Sequence, residues 1–452
     1  MNMAGKVVLF SLALVLCLAG CAKKHSQHEA GHAEWLALNQ EFIRLYAAGE
    51  YTSALYPVQK SVDLAHGFTP RENVDLATSL NNLGVTLLAL SRFAEAEPPL
   101  VRALEIRKRI LGLRHVDVAT TLSNLGELYV ALNRPVEAED IFVQVLDIRE
   151  AVLGPEDADL ADTLHNLGEL YVRKNLPDQA RPLLERALRI REKNFGPDHQ
   201  LVGETLDILA LLDQNHKAFA QAQTLLERSL RNKEQALGPE HAWLIPTLTS
   251  LSEVLLAQEQ IAAAEGYARR AVRIAEHVYG GDNARMAVPL TALGAVAKAQ
   301  GEFEEAEVYF ARAMALREKV LPADHMDIAI SAANLASAYF AQGKYVQAQA
   351  LYERAIQSTE MRLGPDHPDM GLLLFNLGAT LRKAGHLEDA QAAFFRALAI
   401  RKQAFGMKDS SVADTLDALS IVLREQGDSA GADEFAYQAQ EIRGAQSQGN
   451  PE

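Results

Sequence analysis

The stretch TLSNLGELYVALNRPVEAEDIFVQVLDIREAVLGPED, residues 121–157, holds two helical patterns separated by a proline. Leu122, Leu125 and Tyr129 are spaced by three and four, which marks the apolar face of a first helix. Pro135 stands where a second helix begins, and its fixed φ suits a first helical turn. Ala138, Phe142, Val145, Leu146 and Ile148 carry that helix on to Leu153. Gly154-Pro155 ends it: glycine can take the left-handed conformation that follows a helix, and proline blocks continuation.

Working outward, the pattern recurs every 42 residues. Alanine keeps the interval from Ala54 through Ala138 to Ala432, and leucine keeps it from Leu83 through Leu125 to Leu419. The residue after each leucine is small, as at Gly84, Gly126, Ala210, Ser252 and Gly378. Small residues let helices approach closely, and a larger side chain at such a place costs about 1–3 kcal/mol by overpacking. This regularity makes the chain one array, where a length of 452 residues alone would suggest about three domains. No single hairpin buries both faces of its helices, so stability must come from stacking neighbours.

Composition narrows the function. Apolar residues make up 48% of the chain and charged residues 23%, which excludes a disordered chain, a collagen-like fibre and a polytopic membrane protein. A net charge of −15 argues against nucleic acid as a partner. Two cysteines are too few for a disulfide framework or a thiolate zinc cluster. The chain has no HExxH, no phosphate-cradling GxxxxGK[ST], no dinucleotide glycine fingerprint and no GxSxG elbow. The expectation is a protein that is not an enzyme and takes no cofactor, metal or small-molecule substrate.

The N-terminus carries an address. Lys6 is followed by an apolar run from Val7 to Leu18, too short to span a bilayer, so it reads as a secretory signal. It ends in Leu18-Ala19-Gly20-Cys21, which resembles the lipobox of bacterial lipoproteins. That resemblance implies removal of residues 1–20, acylation of Cys21, palmitate included, and a lipidated tether over 21–32. Several acyl chains anchor far more firmly than one. Ala22, where an aspartate would hold a lipoprotein at the inner membrane, implies the outer membrane, facing the periplasm. His25, His28 and His32 crowd the tether, but no carboxylate or thiol completes a usual ligand set, so the histidines are read as solvated.

The repeat resembles tetratricopeptide repeats (TPR). Leu125-Gly126, Tyr129, Ala138 and Phe142 match the family's Leu-Gly, Tyr, Ala and Phe positions, and Val145 departs from a final Ala. The 42-residue length and the linker Leu363-Gly-Pro-Asp-His367 are similar to the kinesin-light-chain variety. The resemblance covers residues 33–443 and leaves 444–452 as a disordered tail. It implies an all-α, right-handed TPR superhelical solenoid of about ten antiparallel helix pairs with a concave groove. It also implies a non-catalytic, membrane-anchored scaffold whose groove binds a partner protein or peptide during envelope assembly or secretion.

Three periodic rows bear on that function. Asn82, Asn124, Asn166, Asn334 and Asn376 precede the leucine, in helix interiors where asparagine has poor propensity. In proteins of the resembled type such asparagines bind the backbone of an extended peptide, a task suited to a group that both donates and accepts. The alternative is that they bridge adjacent helices. His115, His199, His241, His325 and His367 share a register with Asn73, Asp157, Asn283 and Asp409, residues that cap helix N-termini. Arg102, Arg186, Arg228, Arg270, Arg312, Arg354 and Arg396 form one row on the second helices. Neighbouring Glu185, Glu227 and Glu353 make it an ion-paired, solvated face, and the alternative is a ladder for anionic lipid or cell-wall polymer.

Overall fold

The computed structural model describes residues 30–448. The signal segment 1–20, Cys21, His25 and His28 lie outside the described residues. Among these residues there are twenty α-helices, α1 (30–47) followed by nineteen from Tyr51–His66 to Ser429–Gln448, two three-residue 3₁₀ turns and no strand. The fold class is therefore all-α, as expected. Helix α1 already begins at 30, inside the segment read as tether, and the last helix continues past Arg443 to Gln448. His32 rests against Trp35, ring centroids 5.5 Å apart, with its Nε2 3.4 Å from an Asp75 carboxylate oxygen.

The chain divides into two compact units, Met1–Leu212 and Asp213–Glu452. The first holds the hairpins α1/α2 (Tyr51–His66), α3 (Val74–Ala89)/α4 (Phe93–Leu111), α5 (Val116–Ala131)/α6 (Pro135–Leu153) and α7 (Ala158–Arg173)/α8 (Pro177–Phe195). Helix α9 (Gln200–Asn215) straddles the division in sequence, and α10 (Phe219–Leu237) opens the second unit. There follow α11 (Ile245–Ala257)/α12 (Ile261–Tyr279), α13 (Ala287–Gln300)/α14 (Phe303–Glu318) and α15 (Met326–Ala341)/α16 (Tyr345–Leu363). The unit closes with α17 (Pro368–Ala384)/α18 (Leu387–Phe405) and α19 (Ser410–Gln426)/α20 (Ser429–Gln448).

Within each unit the first helices of successive hairpins touch one another, as α5 touches α7 and α15 touches α17, whereas successive second helices meet marginally at most. First helices therefore line the inner side of each stack and second helices the outer. The small residues perform the expected task. A Cβ added at Gly126 would stand 2.5 Å from the Phe142 ring, and one at Gly378 would stand 2.9 Å from the Phe394 ring. Ala138, Phe142 and Val145 are buried together with Leu122 and Leu125.

Helix ends follow the sequence with one correction. At all nine positions of the histidine register the side chain accepts a hydrogen bond from a backbone N–H of the first turn. His115 Nδ1 accepts from Asp117 N at 3.1 Å, His241 Nδ1 from Trp243 N at 3.2 Å and Asp157 Oδ1 from Asp159 N at 2.9 Å. The imidazoles are thus helix caps, carrying their proton on Nε2. The stop at Gly154 is not left-handed helical as expected: with φ +89° and ψ +172° it occupies a region essentially reserved for glycine. The reason is the linker, which leaves the helix in an extended direction toward the next cap.

A second row of cations escaped the sequence reading. Arg107, Arg149, Arg191 and Arg401 are buried on the second helices and reach forward to the next first helix. Arg149 Nη1 donates to Thr163 Oγ1 at 2.7 Å and to the Asp159 carbonyl at 2.7 Å, and Arg401 repeats this with Thr415 and Ser411. Burial pushes the Arg149 and Arg401 guanidinium pKa values below the ordinary arginine range. The available signal was the dipeptide Ile-Arg at 106–107, 148–149, 190–191 and 400–401.

Candidate functional site

An α-helix places residues three, four and seven apart on one face. On the inner side of the first unit that face reads Thr78, Asn82, Val85 on α3; Thr120, Asn124, Glu127 on α5; and Asp162, Asn166, Glu169 on α7. In the second unit the same registers read Val288, Ala292, Ala295 on α13; Ile330, Asn334, Ser337 on α15; and Leu372, Asn376, Ala379 on α17. The asparagines are half-buried in both units.

Their partners differ. Asn82 Nδ2 donates to Asn39 Oδ1 at 3.2 Å, Asn124 Nδ2 to Asn81 Oδ1 at 2.9 Å and Asn166 Nδ2 to Glu127 Oε1 at 3.2 Å. Each of these three bridges to the preceding first helix. Asn334 and Asn376 take part through their backbone carbonyls, which accept from Ser337 Oγ and Thr380 Oγ1, while their side-chain amides bond to no described residue. The polar face of the first unit is saturated in the same way. Asp162 pairs with Arg191 at 2.7 Å, and Glu169 with Arg173 at 2.6 Å. Desolvation by the surrounding helices raises the Glu127 carboxyl above the ordinary carboxylate range although its outer edge is open to solvent, and the Asn166 hydrogen bond opposes that shift. Next to Asn166, burial and then the charge of Arg191 push the His165 imidazole down to about 3, so it is neutral at ordinary pH.

The inner face of the second unit is apolar and open over α13, α15 and α17, with Glu253 of α11 and Asp414 of α19 at the same registers on either side. Val288, Ile330 and Leu372 are 48%, 51% and 58% exposed. Between α17 and α19 lies a pocket of about 290 Å³ whose lining includes Phe375, Ala379, Phe394, Ala418 and Ile421. Asp414, Asp417 and Arg443 also line it, and Arg443 pairs with both aspartates. Desolvation by the neighbouring helices pushes the Lys298 ammonium, in the last turn of α13, below the ordinary lysine range although the side chain is open to solvent; it donates to Ser337 Oγ at 3.1 Å.

The arginine row lies on the outer helices and is tied to the preceding hairpin. Arg270 meets Glu234, Arg312 meets Glu276, Arg354 meets Glu318 and Arg396 meets Glu360, each 36 residues back. Arg270 and Arg312 also donate to carbonyls 31 residues back, at Pro239 and Gly281. Arg186 makes both contacts in the first unit, and Arg102 pairs with Glu72 and Glu105. This is the ion-paired face expected. Among the described residues no group of His, Cys, Asp and Glu could hold a metal ion, and no helix is long and apolar enough to cross a membrane.

A family model described as tetratricopeptide repeat matches residues 75–151, 134–193, 159–235, 214–277, 247–319 and 327–403. No curated protein matches the chain. Among solved structures, a signal transduction ATPase with a tetratricopeptide repeat sensor from Pyrococcus horikoshii is similar over 85% of this chain and 54% of its own, with 14% identity and a TM-score of 0.51. BtubC (BKLC) from P. vanneervenii is 19% identical over 56% of this chain and 92% of its own, with a TM-score of 0.40. Repeats of a putative kinesin light chain from Podosopora anserina are 23% identical over 46% of this chain and 98% of their own, with a TM-score of 0.38.

Proposed function

The chain belongs to the tetratricopeptide repeat family, and on that premise we propose that it is a non-catalytic, membrane-anchored adaptor that holds a segment of a partner protein on its inner helix face. Members of such a family serve generally as protein-interaction scaffolds. The observation that carries the reading is the inner face of the second unit, where exposed Val288, Ile330 and Leu372 adjoin the unpartnered amides of Asn334 and Asn376. Asn82, Asn124 and Asn166 keep carbonyl oxygens able to accept from a peptide, while their N–H groups already hold the preceding helix. Anchoring is the part of the proposal that rests on Cys21 and the run before it, and an envelope assembly or secretion role follows from that address. The alternative, in which the row from Arg102 to Arg396 holds anionic lipid or cell-wall polymer, is disfavoured because those cations are tied to the protein's own carboxylates.

Two experiments test it. A photo-crosslinking residue at Ala379, on the inner side, should trap a partner in intact envelopes, and one at Val346, exposed on an outer helix, should not. Crosslinks from Val346 alone would sink the inner-face reading. Cys21→Ser should abolish palmitate incorporation and release the protein from the membrane fraction, and unchanged retention would sink the lipid anchor.

A further inference from the structure

We propose that the inner face of the second unit takes an extended segment of a partner protein in which apolar and acidic residues alternate. The inference rests on the inner-face reading above and narrows it to one unit and one pattern. Helices α13, α15 and α17 lie side by side, so a segment crossing them meets Val288, Ile330 and Leu372 along one margin. One turn further along the helices stand the amides of Asn334 and Asn376, free to bond a main chain. Lys298 and Lys383, in the last turns of α13 and α17, stand on the opposite margin. Lys298 donates only to Ser337 Oγ, and Lys383 bonds to no described residue. Neither meets a carboxylate, whereas the outer arginines of the same unit each do.

Geometry turns these margins into a pattern. Packed helices are about 8–10 Å apart, so three of them span about 20 Å. An extended chain rises about 3.3 Å per residue and crosses that span in about six residues, with successive side chains on opposite sides. With its main chain above the amides, alternate residues reach the apolar margin and the rest reach the lysines. Apolar contact on one side and charge complementarity on the other select apolar–acidic alternation. The first unit lacks the apolar row, having Thr78, Thr120 and Asp162 in its place, and its cation at the register of Lys383, Arg173, is held by Glu169.

The test uses the full chain and three fluorescein-labelled octapeptides: alternating Leu and Asp, the same with Lys for Asp, and the same with Ser for Leu. By fluorescence anisotropy the Leu–Asp peptide should bind at least tenfold more tightly than either of the others. Lys298→Glu combined with Lys383→Glu should invert the charge preference, so that the Leu–Lys peptide binds more tightly, with the helical circular dichroism unchanged. Leu372→Ser should weaken the Leu–Asp peptide, while Val346→Ser on an outer helix should not. Equal binding of the Leu–Asp and Leu–Lys peptides, an uninverted preference in the double variant, or no binding of the Leu–Asp peptide overturns the inference. The crosslinks from Ala379 and Val346 decide the broader reading separately.

Discussion

The two units repeat one backbone pattern and put different chemistry on its inner side. In the first, Asn124 and Asn166 donate to the preceding helix, Asp162 is held by Arg191, and Glu169 is held by Arg173. In the second, the corresponding positions expose Ile330 and Leu372 and leave the amides of Asn334 and Asn376 without a partner. A polar group whose hydrogen bonds are internal has little to gain from a ligand, whereas exposed apolar surface and unpaired amides gain on covering. The same asparagine thus serves as a brace in one unit and as an available contact in the other. Its neighbours decide which.

The comparison can be broken in matched pairs of variants. The largest effect is expected from glycines facing aromatic rings. Gly126→Ala would put a Cβ 2.5 Å from Phe142, and Gly378→Ala one 2.9 Å from Phe394. Both should destabilise by about 1–3 kcal/mol in urea unfolding followed by circular dichroism, with Gly126→Ala the worse. Equal, negligible losses would show that the rings move aside freely.

Acid should separate the units next. The folded pKa of His165 is about 3, and that of an unfolded histidine is about 6.5. The unfolded chain therefore takes up the proton first. Stability is complete above about 6.5 and falls as pH drops toward 3, by up to about 1.4 kcal/mol per pH unit. In the second unit Thr249, Thr291, Ala333 and Phe375 stand at the equivalent positions of α11 to α17, and Asp417 on α19 is a carboxylate paired with Arg443 rather than a histidine. Hydrogen exchange between pH 7 and 4.5 should show the first unit loosening before the second, and His165→Ser, which installs the residue of the preceding hairpin, should remove the difference. A smaller contrast lies in the hairpin turns. Ser91, Asn133, Asn175, Lys217 and Glu259 adopt a positive φ of 55–61°, where the last four hairpins have Gly301, Gly343, Gly385 and Gly427. Ser91→Gly should raise the melting temperature slightly, and Gly343→Ala should destabilise by about 1–2 kcal/mol and lower the melting temperature, which differential scanning calorimetry would resolve.

Much of the fold was legible because it is written in identical residues at a fixed interval. Ala138, Leu125 and Gly126 set the packing, and interchange of His115 with Asp157 announced a cap. The site was only partly legible, because it depends on residues that do not repeat. Val288, Ile330 and Leu372 stand in the register of Thr78, Thr120 and Asp162 with different residue types, so a search for recurrence passes over them. Arg102 and Arg107 are five apart on one helix, and only packing shows that the first is solvated and the second buried beneath the next hairpin.

The outer arginines of the second unit also govern how such an array can change length. Arg270, Arg312, Arg354 and Arg396 each reach a carboxylate 36 residues back, and Arg270 and Arg312 a linker carbonyl 31 residues back. Deleting one residue inside a hairpin moves every such partner out of reach at that joint. Removing a whole 42-residue block presents each arginine with an equivalent carboxylate, each cap with an equivalent helix, and each glycine with an equivalent ring. The array is therefore intolerant of single-residue slippage and permissive of in-frame loss or duplication of entire repeats.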